Sequence, residues 1–211
     1  VMLMVDVSDS LNFGTQVMMK REMVTEIAAT LAFAAIENND KVGLLFFSDR
    51  IEKFIPPKKG RKHILHLIRE LLDFQPESNS TDITVPLEYI TGAVKKRCTA
   101  FLLSDFIDPH DYMNALTIAN RKHDIVAIRV YDRRMEELPD VGLMKLYDSE
   151  SGQEMFVDTS SVKVRSAHKK WFDDNTARLQ DYLTRSCVDS VSVRTDQDYV
   201  KALMGLFAKR N

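Results

Sequence analysis

Three short stretches of this chain are apolar at nearly every position rather than at alternate ones. They are "VMLMVDV" (residues 1–7), "TAFLLSDF" (99–106) and "DIVAIRVYD" (124–132). A strand with one face in water alternates polar and apolar residues. A continuous run means that both faces are covered. Between these runs lie segments of helical period, over 17–38, 61–73, from Pro86 in a first turn to about Arg97, 110–121 and 161–186. A last strand, "SVSVRT" (190–195), precedes a final helix. Buried strands separated by helices need crossover connections, and these put helices on both faces of a parallel sheet. The pattern predicts an α/β fold, a three-layer, doubly wound and mainly parallel sheet.

Two hairpins decorate this plan. "KVGLLFFS" (41–48) turns through "SDR" into "IEKFIPP", which predicts an antiparallel edge strand, where Pro56 and Pro57 are tolerated. "LMKLYD" and "QEMFVD" flank a Gly-containing turn and predict a second hairpin. Thr195 and Asp198 have the spacing of a capping box for the final helix, with Val200, Leu203, Met204 and Phe207 as its buried stripe. The segment "AATLAFAAI" predicts a first helix buried nearly all round. Trp171 and Phe172 begin a core stripe with Leu179, Tyr182 and Leu183. No repeat, low-complexity tract or linker interrupts the chain, so a single domain is expected over 1–211.

Composition narrows the function. Hydrophobic residues make up 45% of the 211, enough for a substantial core. With 29 basic and 31 acidic residues, the chain lacks the excess of a nucleic-acid binder. No apolar run approaches the ~20 residues that cross a bilayer, so no membrane insertion is expected of this stretch. The two cysteines, Cys98 and Cys187, do not suggest a disulfide scaffold.

The first strand ends in Asp6, Ser8 and Ser10. In an extended chain these alternate positions point the same way. In open parallel sheets, ligands bind beyond the carboxyl ends of the strands. Asp105 ends another strand at that edge, and the loop "SNSTD" brings Thr81 there. All five side chains offer hard oxygen, with no sulfur and no imidazole. That set suits Mg²⁺ or Mn²⁺ better than Zn²⁺ or Cu²⁺. Neutral hydroxyl ligands leave the metal much of its charge, so an open position would attract a carboxylate from outside.

"DVSDS", "STD" and "LLSDF" together resemble the metal-ion-dependent adhesion site of von Willebrand factor A domains, D-x-S-x-S with a distant Thr and a distant Asp. "LAFAAIENNDKVGLLFFSD", "PPKKG", "SDFIDP", "ELPDVGL" and "DSESGQ" resemble the bacterial domain-of-unknown-function fifty-eight proteins. The resemblance implies a von Willebrand factor A-like fold, with Ser8, Ser10 and Thr81 binding the metal directly and Asp6 and Asp105 acting mostly through water. It implies a cytoplasmic protein without established catalytic activity that works with a MoxR-type AAA+ ATPase or its client in chaperone-like assembly. It also implies an N-terminal portion of the full protein ahead of Val1. Asp9 departs from the Gly common at its position, which could restrict the loop.

Other readings compete. Ser8 and Ser10 could simply cap a helix. A haloacid-dehalogenase-type phosphohydrolase would use Asp6 as nucleophile, but it needs a second Asp where Ser8 stands. A third possibility is a scaffold with an unoccupied site. No G-x-S-x-G elbow or Walker A loop is present. His63 and His66 could chelate a metal from one helix face, and "KKGRK" (58–62) forms a basic patch.

Overall fold

The computed structural model describes residues 1–12, 18–147 and 154–210. In chain order the elements are β1 (Met2–Asp6), a 3-10 turn (Asp9–Asn12), α1 (Lys20–Glu37), β2 (Val42–Phe47), β3 (Ile51–Lys58), α2 (Arg61–Asp73), α3 (Thr84–Ala93) and β4 (Thr99–Ser104). They continue with α4 (Met113–Lys122), β5 (Asp124–Tyr131), the one-turn α5 (Arg133–Glu136), β6 (Leu143–Tyr147), β7 (Glu154–Asp158), α6 (Val162–Arg185), β8 (Asp189–Arg194) and α7 (Tyr199–Arg210).

Six strands form one sheet in the order β3-β2-β1-β4-β5-β8. All neighbouring pairs are parallel except β2–β3, so the antiparallel edge is β3, as the prolines require. Gly43 in β2 has a local reason. A Cβ there would lie 2.9 Å from both Met2 Cε and Pro57 Cγ.

The continuous apolar strands are explained by two cores. Leu3, Val5, Leu103 and Ile128 pack on one face with Met23, Leu31, Ile64 and Leu203, from α1, α2 and α7. Met2, Met4, Leu102 and Ala127 pack on the other with Leu87, Leu116, Leu179 and Leu183, from α3, α4 and α6. The result is the expected three-layer α/β fold. The chain leaves β1 toward β2 on one side and returns to β4 on the other. The switch point of the sheet therefore lies between the carboxyl ends of β1 and β4, where such sheets form a crevice.

Several local expectations change. α1 begins at Lys20, where Met19 N–H donates to Glu22 Oε2 at 2.9 Å, and Phe33 is 45% exposed, so the helix buries one face only. Thr195 is not a cap. Its hydroxyl donates to buried Asp132 Oδ2 at 2.9 Å, while Asp198 Oδ1 accepts from Val200 N–H at 3.0 Å. α7 turns Leu203 and Leu206 inward and leaves Val200, Met204 and Phe207 exposed. Trp171 is exposed beside buried Phe172. β6 and β7 pair antiparallel as a separate two-stranded sheet, and the Gly turn expected between them lies outside the described residues. No helix among the described residues is long and apolar enough to cross a membrane.

Candidate metal centre

The parallel register sets Val5 beside Leu103, so the next residues, Asp6 and Ser104, are lateral neighbours at the sheet's carboxyl edge. Ser104 Oγ donates to Asp6 Oδ2 at 2.6 Å, and Ser8 N–H donates to Asp6 Oδ1 at 2.9 Å. Asp6 thereby bends the chain back over its own strand end. Ser8 and Ser10 follow from that bend, with their hydroxyl oxygens 3.0 Å apart. The 3-10 turn that begins at Asp9 needs no left-handed residue, so the Asp in place of Gly does not strain the loop.

Thr81 arrives from the loop before α3, and its Oγ1 donates to Ser8 Oγ at 2.8 Å. Hydrogen bonds from several elements hold that loop. Glu52 accepts from Glu77 N–H and Ser78 N–H, each at 3.1 Å. Asp9 N–H donates to Asn79 O, and Asp82 N–H donates to Ser48 O. Asp108 Oδ2 accepts from Ile83 N–H at 2.7 Å, which joins the loop after β4 to the start of α3.

Asp105 is placed by an abrupt reversal. Phe106 adopts φ +58°, a left-handed conformation costly for a bulky residue. Ser104 and Asp105 hold it there, with Ser104 Oγ accepting from Phe106 N–H and Asp105 Oδ1 accepting from Ile107 N–H. Asp105 Oδ2 accepts from the Lys20 ammonium at 2.6 Å, and Arg129 Nε donates to the Asp105 carbonyl at 3.3 Å.

All five expected residues therefore converge on one edge. Asp6, Ser8, Thr81 and Asp105 are at most 1% exposed, and Ser10 is half-buried, so the group opens to solvent on the Ser10 side. Burial, and then the neighbouring charge of Asp105, pushes the Asp6 carboxyl up to about 6, against the opposing hydrogen bonds from Ser104 and Ser8. The donor set fits a small hard cation. In an octahedron with Mg–O of about 2.1 Å, adjacent ligand oxygens lie about 3.0 Å apart, close to the observed 2.8 Å and 3.0 Å spacings of the hydroxyls.

Three contributors were missed in the sequence. Ser104 could have been found by aligning the ends of β1 and β4. Lys20 carried no signal beyond being charged at a helix start. Asp108 sits within "SDFIDP", and its oxygens organise two loops. Asp82, Asp108 and His110 bring ligand atoms within 4.8 Å of one another, yet both Asp108 oxygens already accept hydrogen bonds, from Ile83 N–H, His110 N–H and the His110 ring. His63 and His66 lie side by side on α2, and one of them is already engaged. Their rings are 6.5 Å apart, and His63 Nε2 bonds the Val42 carbonyl.

Fold and edge site together define a doubly wound α/β protein with a hydroxyl–carboxylate cluster at its switch point. The chain belongs to the family described as "Protein of unknown function DUF58", whose model matches residues 1–178. It is 30% identical to the uncharacterized protein Rv1480 of Mycobacterium tuberculosis, over 99% of this chain and 66% of that protein. The chain thus spans 66% of the length of that curated relative. Among solved structures, an aerotolerance-related membrane protein from Bacteroides fragilis superposes with a TM-score of 0.63 at 13% identity, covering 99% of this chain and 98% of that one. A von Willebrand factor type A protein from Catenulispora acidiphila overlaps in part, with a TM-score of 0.49 at 11% identity over 61% of this chain and 32% of that one.

Proposed function

We propose that this chain is a divalent-metal-dependent protein-interaction module of the von Willebrand factor A kind and not an enzyme. The observation that supports it most is the contact of Ser8, Ser10 and Thr81 hydroxyls flanked by two buried carboxylates at the switch point. Ser8, Ser10 and Thr81 would hold Mg²⁺ or Mn²⁺ directly, and Asp6 and Asp105 would orient its water. Bound there, the metal supplies a Lewis-acidic position for an anionic oxygen. The partner would offer an exposed Asp or Glu, because three neutral ligands leave the metal short of negative charge. A MoxR-type AAA+ ATPase or its client is the partner that the family resemblance suggests, in a cytoplasmic chaperone-like role.

Ser8 argues against phosphohydrolysis, since it stands where an acid/base carboxylate is needed. Both Asp6 oxygens are also engaged as hydrogen-bond acceptors. The test is affinity capture by the full-length protein with and without Mg²⁺, alongside thermal unfolding of wild type, Asp6→Ala and Ser8→Ala in Mn²⁺. Metal-dependent capture and a metal-induced Tm rise lost in both variants are expected. Identical capture in chelator would overturn the reading.

A further inference from the structure

We propose that Lys20 is a tethered cation that competes with a divalent metal for Asp105 at the carboxylate edge of this site, and so weakens metal binding. The inference deepens the metal-dependent reading above and rests on it.

Lys20 is the first residue of α1, and its side chain is only 2% exposed. A buried ammonium is costly unless it is paired. It also sits at the positive end of a helix, where a cation is disfavoured. What outweighs both is Asp105, whose Oδ2 lies 2.6 Å from Lys20 Nζ. Met135 Sδ is a further neighbour of the ammonium, at 3.3 Å. Asp105 Oδ1 meanwhile accepts from Ile107 N–H. The carboxylate that the site would turn toward a metal or its water is thus already occupied on both oxygens, one of them by a full positive charge.

The ammonium and a divalent ion are alternative cations for one carboxylate. Lys20 Nζ lies 2.6 Å from Asp105 Oδ2, and the buried Arg129 guanidinium donates to the Asp105 carbonyl at 3.3 Å. A divalent ion that draws on Asp105 therefore meets fixed positive charge in a buried site, where like charges repel strongly. The ammonium must release Asp105 or share it, and either outcome weakens metal binding.

The test is Mn²⁺ titration, by electron paramagnetic resonance, of wild type, Lys20→Met, Lys20→Gln and the charge-retaining Lys20→Arg. Folding is verified by circular dichroism. The neutral variants should bind Mn²⁺ at least tenfold more tightly than wild type, and Lys20→Arg should stay within about threefold of it. Equal or weaker binding by folded neutral variants would overturn the inference while leaving the metal reading intact. Absence of Mn²⁺ binding in wild type and all variants at millimolar concentration would overturn both. If the neutral variants do not fold, the lysine ammonium resonance of Lys20 in wild type is followed during a Mg²⁺ titration. Movement in step with the metal-induced Tm rise supports competition. An unmoved resonance at saturating Mg²⁺ overturns it.

Discussion

Thr81 Oγ1 donates to Ser8 Oγ across 73 residues of sequence, at 2.8 Å. The bond joins the bend after β1 to the loop before α3, and it is made by two groups proposed as metal ligands. Thr81→Ala should therefore remove a ligand while costing the metal-free fold only the roughly 1 kcal/mol of a typical hydrogen bond. In Mn²⁺ at ten times the wild-type Kd, binding stabilises the native state by about 1.4 kcal/mol, or roughly 3–5 °C for a chain this size. Thr81→Ala should lose most of that rise, and Thr81→Ser should keep it. A full rise in Thr81→Ala, measured by calorimetry, would remove Thr81 from the ligand set.

The raised Asp6 carboxyl predicts a stability effect of definite sign in metal-free protein. An unfolded Asp ionises near 3.8, whereas native Asp6 ionises near 6. Between these values the native state holds the extra proton, so native stability falls as pH rises through the window and stays lower above it. Asp6→Asn has no charge to bury. In chelator at pH 8 it should be more stable than wild type by on the order of 1–2 kcal/mol, after loss of the Ser104 donation. The advantage should vanish below about pH 4, and the metal-induced rise should be absent at every pH. Urea unfolding at pH 4 and pH 8 checks this. Lower stability of Asp6→Asn at pH 8 would mean that the ionised carboxylate is a net asset without metal.

Much of this was legible in the sequence because few principles govern it. Continuous apolar strands between helices allow little besides a covered parallel sheet, and Pro56 and Pro57 mark its edge. Asp6 and Asp105 were legible because each comes at the end of a buried parallel strand, at the same sheet edge, but Ser8 and Ser10 reach them through the bend and 3-10 turn after β1 and not, as expected, by alternation along an extended strand. What stayed hidden depended on neighbours distant in sequence. Thr195 has cap spacing, but buried Asp132 is a better acceptor for its hydroxyl. α7 has two overlapping apolar stripes, and only the sheet surface selects Leu203 and Leu206 over Val200 and Met204. Lys20 reads as a solvated charge until the fold brings Asp105 to it.

His123 predicts a second pH effect, far from the candidate site. It is fully buried, with Nε2 3.2 Å from the Ile90 carbonyl. Burial pushes its imidazole down from 6.5, with the charges of Lys122 and Arg97 acting the same way and the Ile90 carbonyl opposing. The unfolded chain therefore takes the proton first. Stability is fully present above about pH 6.5 and is lost as pH falls through the lowered native value. His123→Gln should flatten the decline in Tm between pH 7 and pH 5. An unchanged slope would show that other groups set it.

Wild-type protein with Mg²⁺ should not hydrolyse p-nitrophenyl phosphate above buffer. In-line attack by Asp6 would require one of its oxygens to give up a hydrogen bond, and Ser8 cannot protonate a leaving group as a carboxylic acid does. Turnover that disappears in Asp6→Asn would reverse the proposal of a binding module.

The last prediction separates the metal edge from the basic segment 58–62. Lys58, Lys59, Arg61 and Lys62 are all exposed, and Lys58 pairs with Val42 at the start of β2. The cluster around Ser8 lies beyond the other end of that sheet. Six residues of strand at about 3.3 Å each put the two roughly 20 Å apart. At 0.15 M salt the screening length is about 8 Å, so the patch cannot steer a carboxylate to the metal edge with much force. Reversing Lys59, Arg61 and Lys62 to Glu should change metal-dependent capture of an acidic partner by less than about twofold at that salt. Chelator or Thr81→Ala should weaken it at least tenfold, the scale of losing an interface hot spot. A titration of all three conditions against the captured partner decides between the two faces. If charge reversal abolishes binding and chelator leaves it unchanged, the partner docks at the amino-terminal end of the sheet and the metal bridge is wrong.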